Sequence, residues 1–120
     1  DSLERYEVIF IDDGSTDGTG EVAQAFRHYP NFRYTGNRRN FGLVPSCNWG
    51  LQEARGEYVI RLDADDVFEP TIIEEMRVPL DQGVTDFVYS DRHEMLLDRN
   101  EVRYVSLTDF NIYKLIEFFF

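Results

Sequence analysis

The sequence predicts an α/β domain, a mostly parallel sheet with helices on both faces. Short apolar, β-branched runs alternate with segments whose apolar residues recur at helical spacing. The order strand, helix, strand, helix, strand needs crossover connections, which make neighbouring strands parallel. Two acidic clusters, Asp12-Asp13-Gly14-Ser15 and Asp63-Ala64-Asp65-Asp66, each follow an apolar run. Both therefore stand at strand carboxyl ends, where such sheets bind ligands.

The first strand is read over residues 7–11, where Val8-Ile9-Phe10-Ile11 stops abruptly at Asp12-Asp13-Gly14. A helix follows over 19–28, with Val22, Ala23, Phe26 and Tyr29 at helical spacing and Ser15, Thr16 or Asp17 available as a cap. Residues 32–35 form the second strand. The second helix spans 44–54, with Val44, Cys47, Leu51 and Ala54 on one face, Pro45 in its first turn and Gly56 beyond its end. Residues 57–62 make a third strand that runs into the second acidic cluster. Pro70 opens a third helix, whose inward face is Ile72, Ile73, Met76 and Leu80. A fourth strand over 85–90, a hairpin over 94–107 turning at Asp98-Arg99-Asn100, and a short helix over 111–118 complete the reading.

At 120 residues, with 42% hydrophobic and 15% aromatic residues, the chain is one globular domain at most. A formal charge of -11 argues against nucleic acid, whose phosphates would be repelled. A phosphate-bearing ligand then needs a cation between it and the protein. The single cysteine, Cys47, rules out an intrachain disulfide and a Cys-rich zinc site, and it fits a reducing compartment. No apolar stretch is long enough to cross a bilayer. The chain opens in charged residues just ahead of a strand and closes on Phe118-Phe119-Phe120, which reads as a fragment.

Three carboxylates within the four residues 63–66 repel one another, and a cation relieves that repulsion. Oxygen-only ligands select Mg²⁺ or Mn²⁺ over softer metals. Mg²⁺ takes one or two protein carboxylates and completes its shell with substrate phosphates and water, so a strand-end Asp-x-Asp suits a metal that holds a diphosphate. The same residues also read as a solvated acidic loop capping the helix near Pro70. The first cluster reads as a tight turn with helix caps, or as a carboxylate that accepts from a base N–H or sugar hydroxyls. A calcium loop fits the spacing of Asp13, Ser15, Asp17 and Gly18, but Gln24 stands where its Glu belongs and a strand precedes it.

Taken in order, Val8-Ile9-Phe10-Ile11-Asp12-Asp13-Gly14-Ser15-Thr16-Asp17-Gly18-Thr19, Asn40-Phe41-Gly42, Asn48-Trp49-Gly50-Leu51 and the run from Ala54 to Asp66 resemble family 2 glycosyltransferases. The resemblance implies a Rossmann-like GT-A sheet, here a single partial domain over 1–120 that lacks the first strand and the C-terminal acceptor half. It implies a nucleotide-sugar site at Asp13 (base), Asn40 (pocket loop), Asp63 (ribose and diphosphate) and Asp65. It implies metal ligation by Asp65 with Asp63 and Asp66, the cofactor being Mn²⁺ or Mg²⁺. Asp12 holds the turn. Cys47 stands where many relatives carry an Arg, which leaves Arg38, Arg39 or Arg55 to supply charge.

The expected activity is sugar transfer from a UDP-sugar to a hydroxyl of a glycan or lipid-linked acceptor, in surface polysaccharide or glycan synthesis. The expected location is the cytoplasm, or the cytoplasmic face of the membrane in a longer protein. The resemblance implies that the catalytic base lies beyond Phe120, and Asp91, His28 and His93 read as poor substitutes for it. Two alternatives stand beside this. One is a nucleotide-sugar-binding fragment without catalysis, whose bared strand edge and apolar face favour self-association. The other is a haloacid-dehalogenase-type phosphatase, in which Val67-Phe68 stands where Gly-Thr is usual and the first cluster has no role.

Overall fold

A computed structural model describes residues 5–106. The chain forms two compact units that divide between Arg61 and Leu62.

In the first unit, β1 (Val8–Asp12) pairs in parallel with β2 (Phe32–Gly36), in the register Val8 to Phe32 through Asp12 to Gly36. The Val8 N–H donates to Asn31 O and the Asn37 N–H to Asp12 O, each at 2.8 Å, so the ladder continues past both ends. Between the strands lies α1 (Thr19–Gln24), and after β2 comes α2 (Leu43–Glu53). Side chains alternate across a strand. Phe10 therefore lies on the face that carries the Phe32 and Tyr34 rings, at 6.2 and 6.0 Å. Phe26 reaches Phe32 on this side at 5.9 Å, and a methyl group at Gly20 of α1 would lie 3.0 Å from the Tyr34 hydroxyl. Ile11 points the other way. A methyl at Gly50 of α2 would lie 2.8 Å from its Cδ1, and Arg33 donates to the Glu53 carbonyl at 2.6 Å. The two helices thus cover opposite faces of an α/β sheet, as the sequence predicts.

Several expectations need correction. The first helix ends at Gln24 and not His28. Residues 25–29 continue as tight turns in which Ala25, Phe26, Arg27 and Tyr29 donate three residues back. Of its apolar face only Ala23 is buried; Val22, Phe26 and Tyr29 are exposed. On α2, Val44 and Leu51 are exposed, and the inward side is built from buried Ser46 and the half-buried Cys47, Trp49, Gly50 and Ala54. Small residues win this face because the helix sits close enough to β1 for Gly50 to touch Ile11.

In the second unit, α3 (Ile72–Asp81) presents half-buried Ile72, Met76, Pro79 and Leu80, while Ile73 is exposed. It ends in a left-handed Gly83 (φ 65°) whose N–H donates to Leu80 O, with Val84 N–H reaching Pro79 O. An antiparallel hairpin joins β3 (Arg92–Leu96) to β4 (Glu101–Val105), its turn closed by Asn100 at φ 52°. Residues 57–62 and 85–90 form no strand, and neither ladder includes them. An apolar, β-branched run satisfies the local preference for extended backbone, but a strand exists only where a neighbour supplies the ladder. The helix expected over 111–118 lies outside the described residues. Among the described residues, no helix is long and apolar enough to cross a membrane.

Candidate functional site

The carboxyl end of β1 carries two adjacent carboxylates that serve different connections. Asp12, 7% exposed, accepts from the Ser15 N–H at 2.8 Å through Oδ1 and from the Tyr34 hydroxyl at 3.0 Å through Oδ2. It holds the turn leading to α1, the structural role expected of it. Hydrogen bonds from Ser15 and Tyr34 hold its carboxyl below the usual Asp value, and the same contact raises the Tyr34 hydroxyl. Asp17 accepts from the Thr19 N–H at 2.9 Å, but the cap residue of α1 is Gly18, which has no side chain to accept, so none of Ser15, Thr16 and Asp17 is the cap itself.

Asp13 faces the other connection. Its Oδ1 accepts from Asn37 Nδ2 at 2.8 Å and from the Phe41 N–H at 3.0 Å, and its Oδ2 accepts from the Gly42 N–H at 2.7 Å. Gly42 is the cap of α2, so the carboxylate sits where the free N–H groups of that helix favour negative charge. The N–H of Phe41, then the Asn37 amide and the Gly42 N–H, lower its carboxyl below the usual Asp value. Asp13 is therefore ionised at neutral pH and grips the whole 37–42 loop.

Asn40 lies in that loop, which crosses directly over Gly14. A methyl at Gly14 would stand 2.5 Å from Arg39 C and 2.6 Å from Asn40 N. Gly14 also has φ 81°, a conformation L side chains rarely adopt. The structure thus brings Asp13 and Asn40 together at one strand end. The Arg39 guanidinium rests over the Phe41 ring at 4.9 Å. At the opposite end of α2, Glu7 accepts from the Arg55 N–H at 2.6 Å and pairs with Arg33 at 2.7 Å, tying the helix end to the start of the strand.

The second cluster belongs to the second unit. The Asp66 N–H donates to Asp63 O at 3.0 Å, closing a four-residue turn with Ala64 and Asp65 at its tip. Asp63 is half-buried, and Asp65 and Asp66 are exposed. Among the described residues no three His, Cys, Asp or Glu side chains converge into a ready-made cation cage. Mg²⁺ needs only one or two protein carboxylates when ligand phosphates complete its shell, and these oxygen donors fit that chemistry.

Other candidates are taken up structurally. Asp91 accepts from the Tyr104 hydroxyl within the second unit, and His28 Nδ1 donates to Ala25 O at 2.8 Å. A shallow hollow of about 410 Å³ lies along β2, lined by residues that include Ile9, Arg27, Phe32, Arg33 and Glu53, and none of the predicted site residues lines it. Sequence reasoning gave no role to Asn37 or to the amides of Phe41 and Gly42. Backbone donors leave no trace in a sequence, and an Asn after a strand reads as an ordinary turn residue.

Comparison with known proteins extends this picture. The profile of Glycosyl transferase family 2 matches residues 2–119. A Cholesterol galactosyltransferase of Borreliella burgdorferi is 38% identical over 114 residues, covering 95% of this chain and 32% of that protein. Glycosyltransferase GlyG of Streptococcus pneumoniae is 31% identical over 116 residues, covering 95% of this chain and 38% of its own length. A Poly-beta-1,6-N-acetyl-D-glucosamine synthase of Staphylococcus epidermidis is 38% identical over 63 residues, 52% of this chain and 15% of that protein. The chain thus spans about a third of the length of the first two relatives. No solved structure gives a significant match.

Proposed function

Since the chain belongs to glycosyl transferase family 2, we propose that it supplies the donor-binding part of an enzyme that moves a hexose from a UDP-sugar to a hydroxyl acceptor. The acceptor class is a glycan or a lipid-linked acceptor, in surface polysaccharide or glycan synthesis. Relatives named for galactose transfer with cholesterol and for poly-N-acetylglucosamine synthesis support both the hexose and this range of acceptors. The setting is the cytoplasm or the cytoplasmic face of the membrane, in keeping with the lone, unbridged Cys47.

The observation that carries the donor-site reading is the ionised Asp13 at the carboxyl end of β1, with the 37–42 loop closed onto it. That carboxylate accepts from a base N–H, and Asn40 shapes the loop beside it. Asp65, with Asp63 and Asp66, holds Mn²⁺ or Mg²⁺. Bound there, the cation offsets the charge of the donor diphosphate, which a chain of net charge -11 would otherwise repel. Asp63 also stands next to the ribose and diphosphate. No residue from 5 to 106 is assigned as the base that deprotonates the acceptor, so binding without turnover is the expected behaviour of this chain.

Calorimetry with UDP, with and without Mn²⁺, on the wild-type chain and on Asp65→Ala tests the proposal. Metal-dependent UDP binding that is lost in the variant is expected. A folded chain that binds no UDP at any Mn²⁺ concentration would overturn the donor-site reading.

A further inference from the structure

We propose that Asn37 is a positioning residue that fixes which oxygen of Asp13 meets the ligand. The inference deepens the donor-site reading and rests on it. Asn37 is the first residue beyond β2, and its N–H donates to Asp12 O at 2.8 Å, extending the parallel ladder by one step. This anchored backbone delivers the side-chain amide to Asp13 Oδ1 at 2.8 Å, where the Phe41 N–H also donates at 3.0 Å. A carboxylate oxygen has two lone-pair positions, so Oδ1 is filled. Among the described residues, Oδ2 accepts from the Gly42 N–H; the buried Ser46 hydroxyl stands close enough to help lower this carboxyl but makes no hydrogen bond to it, which leaves Oδ2 one position.

An acceptor held in this way matches a single N–H donor, such as the imide N–H of uracil, and gains nothing from a group that lacks one. Without Asn37, Oδ1 also has an open position and the carboxylate can turn about its Cβ–Cγ bond. Discrimination between an N–H and an N-methyl group should then weaken even where the loop remains closed by Phe41 and Gly42. Asn37 does not touch the ligand. It acts through Asp13.

The experiment compares binding of UDP and N3-methyl-UDP, in the presence of Mn²⁺, to the wild-type chain, Asn37→Ala and Asn37→Asp. The last variant keeps the size and shape of the side chain and replaces its donor by an acceptor. The wild type is expected to prefer UDP by about tenfold or more, the scale of one charge-assisted hydrogen bond. Both variants are expected to lose most of that preference. If the wild type binds neither nucleotide, the donor-site reading fails and this proposal fails with it. If it binds both equally, the donor site stands and the role of Asn37 is overturned. Retention of the wild-type preference by Asn37→Asp overturns it as well.

Discussion

Asp12 and Asp13 share a peptide bond, yet one holds the connection into α1 and the other the connection into α2. Both are held ionised by donors that exist only in the folded chain, as are Asp17, through Thr19, and Glu7, through the Arg55 N–H and Arg33. A carboxyl lowered on folding adds stability that is fully present above its ordinary value and is lost as the pH falls through the lowered one. The thermal midpoint of the first unit is therefore expected to be level from neutral to about pH 5 and to fall below about pH 4. Asp13→Asn should give a shallower acid slope in circular-dichroism melts across that range, and an unchanged slope would remove Asp13 from the account. Gly14 is the other residue with no freedom. Gly14→Ala combines a left-handed φ with a methyl placed against the backbone of Arg39 and Asn40, and should cost at least about 2 kcal/mol in urea unfolding.

At the scale of elements, the signals that proved legible are local ones. The strand runs at Val8 and Phe32, Pro45 in the first turn of α2, and the Asp98-Arg99-Asn100 turn each act within a few residues. The segments around Val59 and Val88 have the same composition, but a strand also requires a hydrogen-bonded neighbour, which no window of sequence contains. The faces of α2 were misread for a related reason. Helical periodicity marks Val44 and Leu51 as apolar, whereas the close approach to Ile11 selects Gly50 and Ser46. Asp12 and Asp13 were conspicuous as carboxylates at the end of β1, whereas Asp63 to Asp66, expected at a strand end as well, follow a segment that forms no strand; the Asn37 amide that restrains Asp13 left no such mark. The hairpin offers a direct test of turn chemistry. Asn100 at φ 52° tolerates glycine, so Asn100→Gly should leave the β3–β4 amides protected from hydrogen exchange. Asn100→Val should lower that protection by about 1 kcal/mol.

For the molecule as a whole, charge and apolar exposure act against each other. Val44, Leu51, Leu97 and Val102 are all more than half exposed, while a net charge of -11 repels like copies. Added salt screens that repulsion and leaves apolar contact in place. Sedimentation velocity is expected to show association that strengthens with NaCl, and a monomer boundary unmoved by salt or concentration would contradict this. The grip of Asp13 on the 37–42 loop has a further consequence. Two of its three donors are main-chain N–H groups, which every residue but proline supplies, and the third is Asn37 at the root of the loop. At the tip, the Arg39 guanidinium lies over the Phe41 ring, but the side chains of Arg38 and Arg39 give Asp13 no hydrogen bond and can change identity without removing any of its three donors. Such an arrangement behaves as an interchangeable cassette on a constant clasp. Randomising positions 38 and 39 while keeping Asn37 and Gly42 should yield folded chains in most cases, and new ligand preferences could be selected there without rebuilding the sheet beneath.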